Sequence, residues 1–302
     1  MKIIITGASG FVGKNLSIFL RSKDYVVSPI SLRNQNWKHN LQRNADAIIH
    51  LAGKAHDTKN TSNPDEYYKI NRDLTKELFN EFLYSDIKTF FYFSSVKAAA
   101  DSVDDILIEK VEAKPITHYG KSKIAAEEYI LSQNLPEGKK IYIIRPCMIH
   151  GPGNKGNLNL LYKIVEKGLP WPLAAFHNQR SFLGIDNLNY LIHQMLLKEN
   201  LQPGIYNFSD DEALSTNELI ETVNKALDKK AKLWNISKGL IEKTADLGDK
   251  LKLPLNSERL KKLTESYVVS NQKIKSALGI EKLPLSAEEG LIKTIKSFKG
   301  TK

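Results

Sequence analysis

A single cysteine, Cys147, cannot form an internal disulfide or a cysteine-based metal site, and this usage points to a reducing compartment. The chain has no apolar run long enough to span a bilayer. The strand-like Ile3-Ile4-Ile5 follows the initial Met so closely that no signal peptide is expected, and a soluble, cytoplasmic protein is the expectation. The seven histidines are scattered without the paired spacing of metal ligands, so no metal is expected. His50 sits inside a strand motif, where packing accounts for it. Internal repeats and nucleic-acid motifs are missing too, which argues against a nucleic acid partner. What is present is ordinary for a folded protein: 302 residues, 41% hydrophobic and 26% charged, with 17 Gly and 11 Pro. This length suggests about two domains.

The charge is unevenly spread. Of a formal +10, residues 225–302 hold 18 basic and 9 acidic residues, against 26 and 25 in residues 1–224. A basic C-terminal third suits an anionic partner such as a nucleotide substrate or an anionic membrane surface. It suits equally a solvated, Lys-rich face that aids solubility.

The first half alternates short apolar runs with longer amphipathic stretches. Strands are expected at Lys2–Thr6, Tyr25–Ile30, Ala47–Leu51, Thr89–Ser94 and Lys140–Arg145. Helices are expected at Gly13–Ser22, at Pro64–Ser85 and from about Ile116 to Gln133. Continuous Ile/Val/Phe strands separated by helices indicate βαβ units and a parallel sheet covered on both faces. Gly151-Pro152-Gly153 marks a boundary, after which the pattern is mostly helical with one more strand at Gly204–Phe208. The fold class expected is α/β: a doubly wound parallel (Rossmann) sheet with a smaller, mostly helical C-terminal substrate domain. Residues 1–153 with about 184–208 would bind the dinucleotide. Residues 154–183 with 209–302 would form the substrate domain.

Gly7-Ala8-Ser9-Gly10-Phe11-Val12-Gly13 lies between the first strand and the first helix. Glycines there permit a tight turn, close approach of the backbone to a pyrophosphate, and close helix–strand packing. The helix N-terminus adds unpaired N–H groups for phosphate. At the end of the second strand, where NAD enzymes place an acid on the ribose, stand Ser31 and Arg33 and no carboxylate. Arg33 can pair with the 2′-phosphate of NADP, which favours NADP; as a plain surface residue it leaves NAD open. Tyr119 and Lys123 are four apart on one helical face, and a neighbouring ammonium is expected to lower the phenol pKa. Ser94-Ser95 end the Phe90–Phe93 strand at the carboxyl edge, where open α/β sheets bind ligands. A hydroxyl there can donate to an oxygen whose charge changes.

These residues, with His50-Leu51-Ala52-Gly53 and Arg145-Pro146, resemble the extended short-chain dehydrogenase/reductases, the NAD-dependent epimerase/dehydratase family. The resemblance runs from residue 1 to about 295. Within the family the chain looks most like bacterial UDP-sugar 4-epimerases and UDP-4-keto-6-deoxy-N-acetylhexosamine 4-reductases, through Gly168–Leu173 and Leu263–Ser266. The resemblance implies catalytic roles for Ser95, Tyr119 and Lys123. It implies a cofactor site of Gly7, Gly10, Phe11, Val12, Gly13, Leu51, Ala52, Gly53, Lys54 and Asn71, joined by Ser31 and Arg33. Asn157 and Arg180, the latter as a diphosphate clamp, would hold the substrate. A homodimer and a role in surface polysaccharide precursor synthesis are further implications.

Departures narrow the activity. Val96-Lys97 follow Ser95 where the family's dehydratases carry an Asp-Glu pair, so a 4,6-dehydratase is not expected. His150 stands where many relatives have Tyr, and a second diphosphate Arg has no counterpart unless Arg259 or a nearby Lys substitutes. The competing reading is a catalytically silent NAD(P)H-binding sensor or scaffold, which would usually have lost the Tyr or the Lys. Trp37, Trp171 and Trp234 read as packing residues, and Asp210-Asp211-Glu212 as a solvated turn before a helix capped by Ser215 or Thr216.

Overall fold

Ile3, Ile4 and Ile5 are all fully buried, as an apolar strand covered on both faces requires. The computed structural model describes residues 1–54, 63–154, 158–251 and 256–299. In chain order come β1 (Lys2–Thr6), α1 (Phe11–Arg21), β2 (Val26–Ile30), β3 (Ala47–His50), α2 (Pro64–Tyr67), a π-helical stretch (Tyr68–Asp73) and α3 (Leu74–Leu83). Next are β4 (Thr89–Phe93), a 3-10 turn (Val96–Ala98), β5 (Ile106–Leu107), α4 (His118–Leu131), β6 (Lys140–Pro146) and β7 (Met148–His150). Then follow α5 (Leu158–Glu166), β8 (Arg180–Gly184), α6 (Ile185–Leu197), β9 (Gly204–Phe208), β10 (Ala213–Leu214) and α7 (Thr216–Ala226). The chain closes with α8 (Lys238–Leu251), α9 (Ser257–Thr264), β11 (Val268–Val269), α10 (Gln272–Leu278) and α11 (Ala287–Lys299).

Among the described residues the main sheet has six parallel strands in the order β2-β1-β3-β4-β6-β9. The period of two divides their side chains between two cores. Ile3, Ile5, Phe91 and Ile144 pack with Leu16 and Leu20 of α1 and Leu188 and Ile192 of α6. Ile4, Phe90, Tyr92 and Ile143 pack with Leu78 and Phe79 of α3 and Ala126 and Ile130 of α4. This is the doubly wound arrangement. Its strand order reverses between β1 and β3, which opens a crevice at the carboxyl ends of those strands. A third core gathers Val165, Trp171, Phe182, Val223, Ile241, Leu260 and Leu291 from the elements of the C-terminal half.

The region after Gly151–Gly153 is mostly helical, as expected, and also carries short strands: β8 and β10 join β7 in a second sheet, and β11 pairs with β5. These strands are two to five residues long, too short for period two to register. The helix expected over Pro64–Ser85 is interrupted by the π-helical stretch, which places Asn71 in full burial. Asp210-Asp211-Glu212 is no solvated turn. Buried Asp210 accepts from the Gly184 amide at 2.9 Å and from Asn187 at 2.7 Å. Asp211 accepts from Lys275 and from the Leu283 amide, and Glu212 from the Ala287 amide. These carboxylates tie β9 and β10 to α6, α10 and α11; unpaired donors brought from distant segments are invisible to local sequence. Ser215 is the cap of α7, in a reciprocal capping box with Glu218. Trp37 and Trp171 are buried as expected, whereas Trp234, also expected to pack, is 56% exposed. No helix among the described residues is long and apolar enough to cross a membrane.

Candidate active site

The glycine turn sits at the end of β1. Gly7 has φ +70°, and a Cβ there would lie 2.7 Å from the Ala52 amide nitrogen and 2.8 Å from the Leu51 carbonyl carbon. A Cβ on Gly13 would come within 2.3 Å of the Gly7 oxygen. Both glycines therefore let α1 and the Leu51–Gly53 segment close on the turn. Gly10 caps α1 without a side chain, so the first-turn amides at Phe11 and Val12 face no capping oxygen. This cradle fits a dinucleotide pyrophosphate. Ser31 and Arg33 are exposed just past the end of β2, the neighbouring strand.

Leu51 to Lys54 continue from the end of β3. Asn71 locks this segment: its Oδ1 accepts from the Lys54 amide at 2.7 Å, and its Nδ2 donates to the Lys54 carbonyl at 3.1 Å and to Ser122 Oγ at 3.0 Å. The Lys54 ammonium pairs with Glu66. His50 bridges Thr6 at 2.6 Å and Thr75 at 2.8 Å. Burial, aided by the Lys123 charge, pushes its pKa down to about 3, so the imidazole is neutral and structural.

Ser94 and Ser95 take different partners on α4. Ser94 Oγ hydrogen-bonds Glu127, a buried carboxylate. Ser95 Oγ accepts from the Lys97 amide at 3.2 Å and hydrogen-bonds the Tyr119 hydroxyl. Tyr119 stands in the first turn of α4, which Thr117 caps through the Gly120 amide. Asp101 fixes that turn in place, accepting from the Ile116 amide at 2.6 Å and from Thr117 Oγ1 at 3.1 Å. The Tyr119 ring packs edge-on against Tyr67.

The Tyr119–Lys123 pair departs from expectation in one respect. Burial raises the Tyr119 pKa, and the Ser95 hydrogen bond offsets part of the rise. Lys123 is buried, donates to the Phe93 carbonyl at 2.8 Å, and has its pKa lowered by burial to about 8. Its ammonium is thus engaged at the end of β4, and the lowering expected for the phenol does not occur. Helical spacing places the two side chains on one face but does not say where a long, flexible ammonium finds its acceptor.

Sequence reasoning missed Asp101, Lys97 and Glu127. Only Glu127 had a local signal, lying four residues beyond Lys123 on the same helix. Arg180, half-buried at the start of β8, donates to the Lys262 carbonyl. Arg259 is exposed on α9. His150 is buried against Thr294, at 2.9 Å. Asn157 lies outside the described residues.

The family model of the NAD dependent epimerase/dehydratase family matches residues 3–209. The chain belongs to that family. This epimerase-family protein is 30% identical over 250 residues to the UDP-glucose 4-epimerase of Vibrio cholerae, covering 75% of this chain and 76% of that one. It is 29% identical over 161 residues to the UDP-2-acetamido-2,6-beta-L-arabino-hexul-4-ose reductase of Pseudomonas aeruginosa, covering 53% and 38% of the two chains. The solved structure of the Thermus thermophilus UDP-glucose 4-epimerase in complex with NAD superposes with a TM-score of 0.76 over the whole of both chains, at 20% identity. The protein is an NAD(P)-dependent enzyme of the extended short-chain dehydrogenase/reductase type.

Proposed function

We propose that this enzyme acts at carbon 4 of a UDP-hexose or UDP-N-acetylhexosamine, as a 4-epimerase or a 4-keto reductase, in the synthesis of a surface polysaccharide precursor. The observation that carries the reading is the hydrogen-bonded Ser95–Tyr119 pair beside Lys123 at the carboxyl edge of β4. Bound NAD(P) supplies a hydride acceptor or donor at that carbon. Tyr119 exchanges the proton of the oxygen on carbon 4, and Ser95 hydrogen-bonds the same oxygen. Lys123, with two N–H donors beyond the one given to Phe93, reaches the nicotinamide ribose. Arg180 grips the diphosphate, together with Asn157. The segments 154–183 and 209–302 form the substrate side of the crevice. The absence of an acid at the end of β2, with Arg33 exposed there, favours NADP.

Incubation with UDP-sugars and their 4-keto derivatives tests the reading. Interconversion without added cofactor identifies an epimerase, and stoichiometric loss of NADPH a reductase. Tight cofactor binding with no turnover on any nucleotide sugar would overturn it.

A further inference from the structure

Lys97 lies between the reacting hydroxyls and the arginine assigned to the diphosphate. Its amide donates to Ser95 Oγ at 3.2 Å. Its carbonyl presses on the Tyr119 turn, where a Cβ on Gly120 would come within 2.3 Å of it. The side chain runs the other way. Its ammonium donates to the Asp101 carbonyl at 2.6 Å and stands 4.2 Å from the centroid of the Tyr267 ring. Tyr267 is strand-paired with Arg180, and its backbone bonds both neighbours of that arginine, the Gln179 carbonyl at 2.8 Å and the Ser181 amide at 3.0 Å. The Arg180 guanidinium in turn donates to the Lys262 carbonyl.

Two cations, Lys97 and Arg180, therefore meet at Tyr267, with Asp101 and Glu265 as the facing carboxylates, while the Lys262 ammonium pairs with Glu258. Asp101 already accepts the amides of Ile116 and Thr117 and the Thr117 hydroxyl. Lys97 and Arg180 are both half-buried. Like charges held together at reduced exposure repel, and an anion placed between them relieves the repulsion. Burial holds the Lys97 pKa below its usual value; Asp101 and Glu265 oppose the lowering, and the charges of Arg180 and Lys262 add to it.

We propose that Lys97 is the second cation of the substrate pyrophosphate site, pairing with Arg180 and placing the sugar carbon against Ser95 and Tyr119. This rests on the nucleotide-sugar reading above. The ammonium has two N–H donors beyond the one given to Asp101. It replaces the missing second arginine by a residue from the Ser95 turn itself, which couples diphosphate binding directly to the position of a catalytic hydroxyl.

The test is calorimetry of wild type, Lys97→Met and Lys97→Arg with UDP, UMP and NADP(H), followed by steady-state kinetics. Lys97→Met should weaken UDP by about ten- to hundred-fold, the range of a charge-assisted hydrogen bond. The wild-type preference for UDP over UMP should shrink, and cofactor affinity should be unchanged. KM for the nucleotide sugar should rise more than kcat falls, and Lys97→Arg should restore most of the loss. If Lys97→Met does not fold, Lys97→Gln carries the same measurements. UDP affinity within two-fold of wild type in the neutral variant overturns the assignment. So does a parallel loss for UDP, UMP and cofactor, which would mark Lys97 as a structural prop. Wild type that binds neither UDP nor another nucleoside diphosphate would instead overturn the nucleotide-sugar reading, and this assignment with it.

Discussion

Arg145 and Glu127 form a bidentate pair sealed beneath the site, with Arg145 Nε 3.0 Å from one carboxylate oxygen and Nη2 2.5 Å from the other. Ser94 donates to the same carboxylate, so β4, α4 and β6 meet at one buried charge. Breaking such a pair from one side leaves an uncompensated ion in a medium that solvates it poorly. Glu127→Ala should therefore cost about 3–5 kcal/mol of stability by denaturant unfolding. The double variant Glu127→Leu/Arg145→Met should recover most of it. A single-variant loss under about 1 kcal/mol would mean that Arg145 finds solvent by another route.

Tyr119→Phe removes the phenolic proton that the proposed mechanism transfers and keeps the ring against Tyr67. Turnover should fall by about 10²–10⁴-fold, the usual contribution of a general acid–base group. Cofactor affinity should stay near wild type, because the glycine turn and Lys123 are untouched. Retention of more than about a tenth of wild-type kcat would transfer the proton-shuttle role to another residue.

Lys123 makes the cofactor-free protein pH-sensitive in a defined window. Its folded pKa is depressed to about 8, against about 10.4 in an unfolded chain. Between those values the unfolded state holds more protons, so stability contributed by this site rises with pH. Below about pH 8 the full cost of the buried ammonium is present, and by about pH 10 it is gone. Lys123→Met lacks the titration. The stability difference should shift toward wild type between pH 8 and 10, by at most about 1.4 kcal/mol per pH unit. A flat difference across that window would show the ammonium to be better solvated than its position implies. The same variant should lose both turnover and cofactor affinity, unlike Tyr119→Phe.

Gly13→Ala tests the cradle. A Cβ 2.3 Å from the Gly7 oxygen and 2.6 Å from the Ala8 Cα, both backbone, must push α1 away from the turn. Cofactor affinity should drop by at least about ten-fold, and the protein should unfold earlier in a thermal scan. Wild-type affinity for NAD and NADP would show that the pyrophosphate does not use this turn.

Patterns that repeat over short distances were legible from the chain alone. The all-apolar strands announced a sheet buried on both faces. A glycine run after the first of them announced a tight strand-to-helix turn. Ser94-Ser95 placed hydroxyls at the end of a strand, and Tyr119 with Lys123 a phenol and an ammonium on one helix. Local order sets these features, because a side chain's period and its immediate neighbours are written in sequence. The division of labour between Ser94 and Ser95 was decided only in three dimensions. Residues adjacent in the chain met acceptors eight positions apart on α4, one a buried carboxylate and the other a phenol. Likewise, Lys123 gave its proton donor to the Phe93 carbonyl, 30 residues away, and left the Tyr119 pKa to burial. Asp210-Asp211-Glu212 looked like a solvated turn and became a junction anchored by buried Asp210, because donors on α6, α10 and α11 arrived only once the chain had closed. A charged group's protonation and partners depend on the dielectric and donors that tertiary packing brings to it, and no window of sequence contains them.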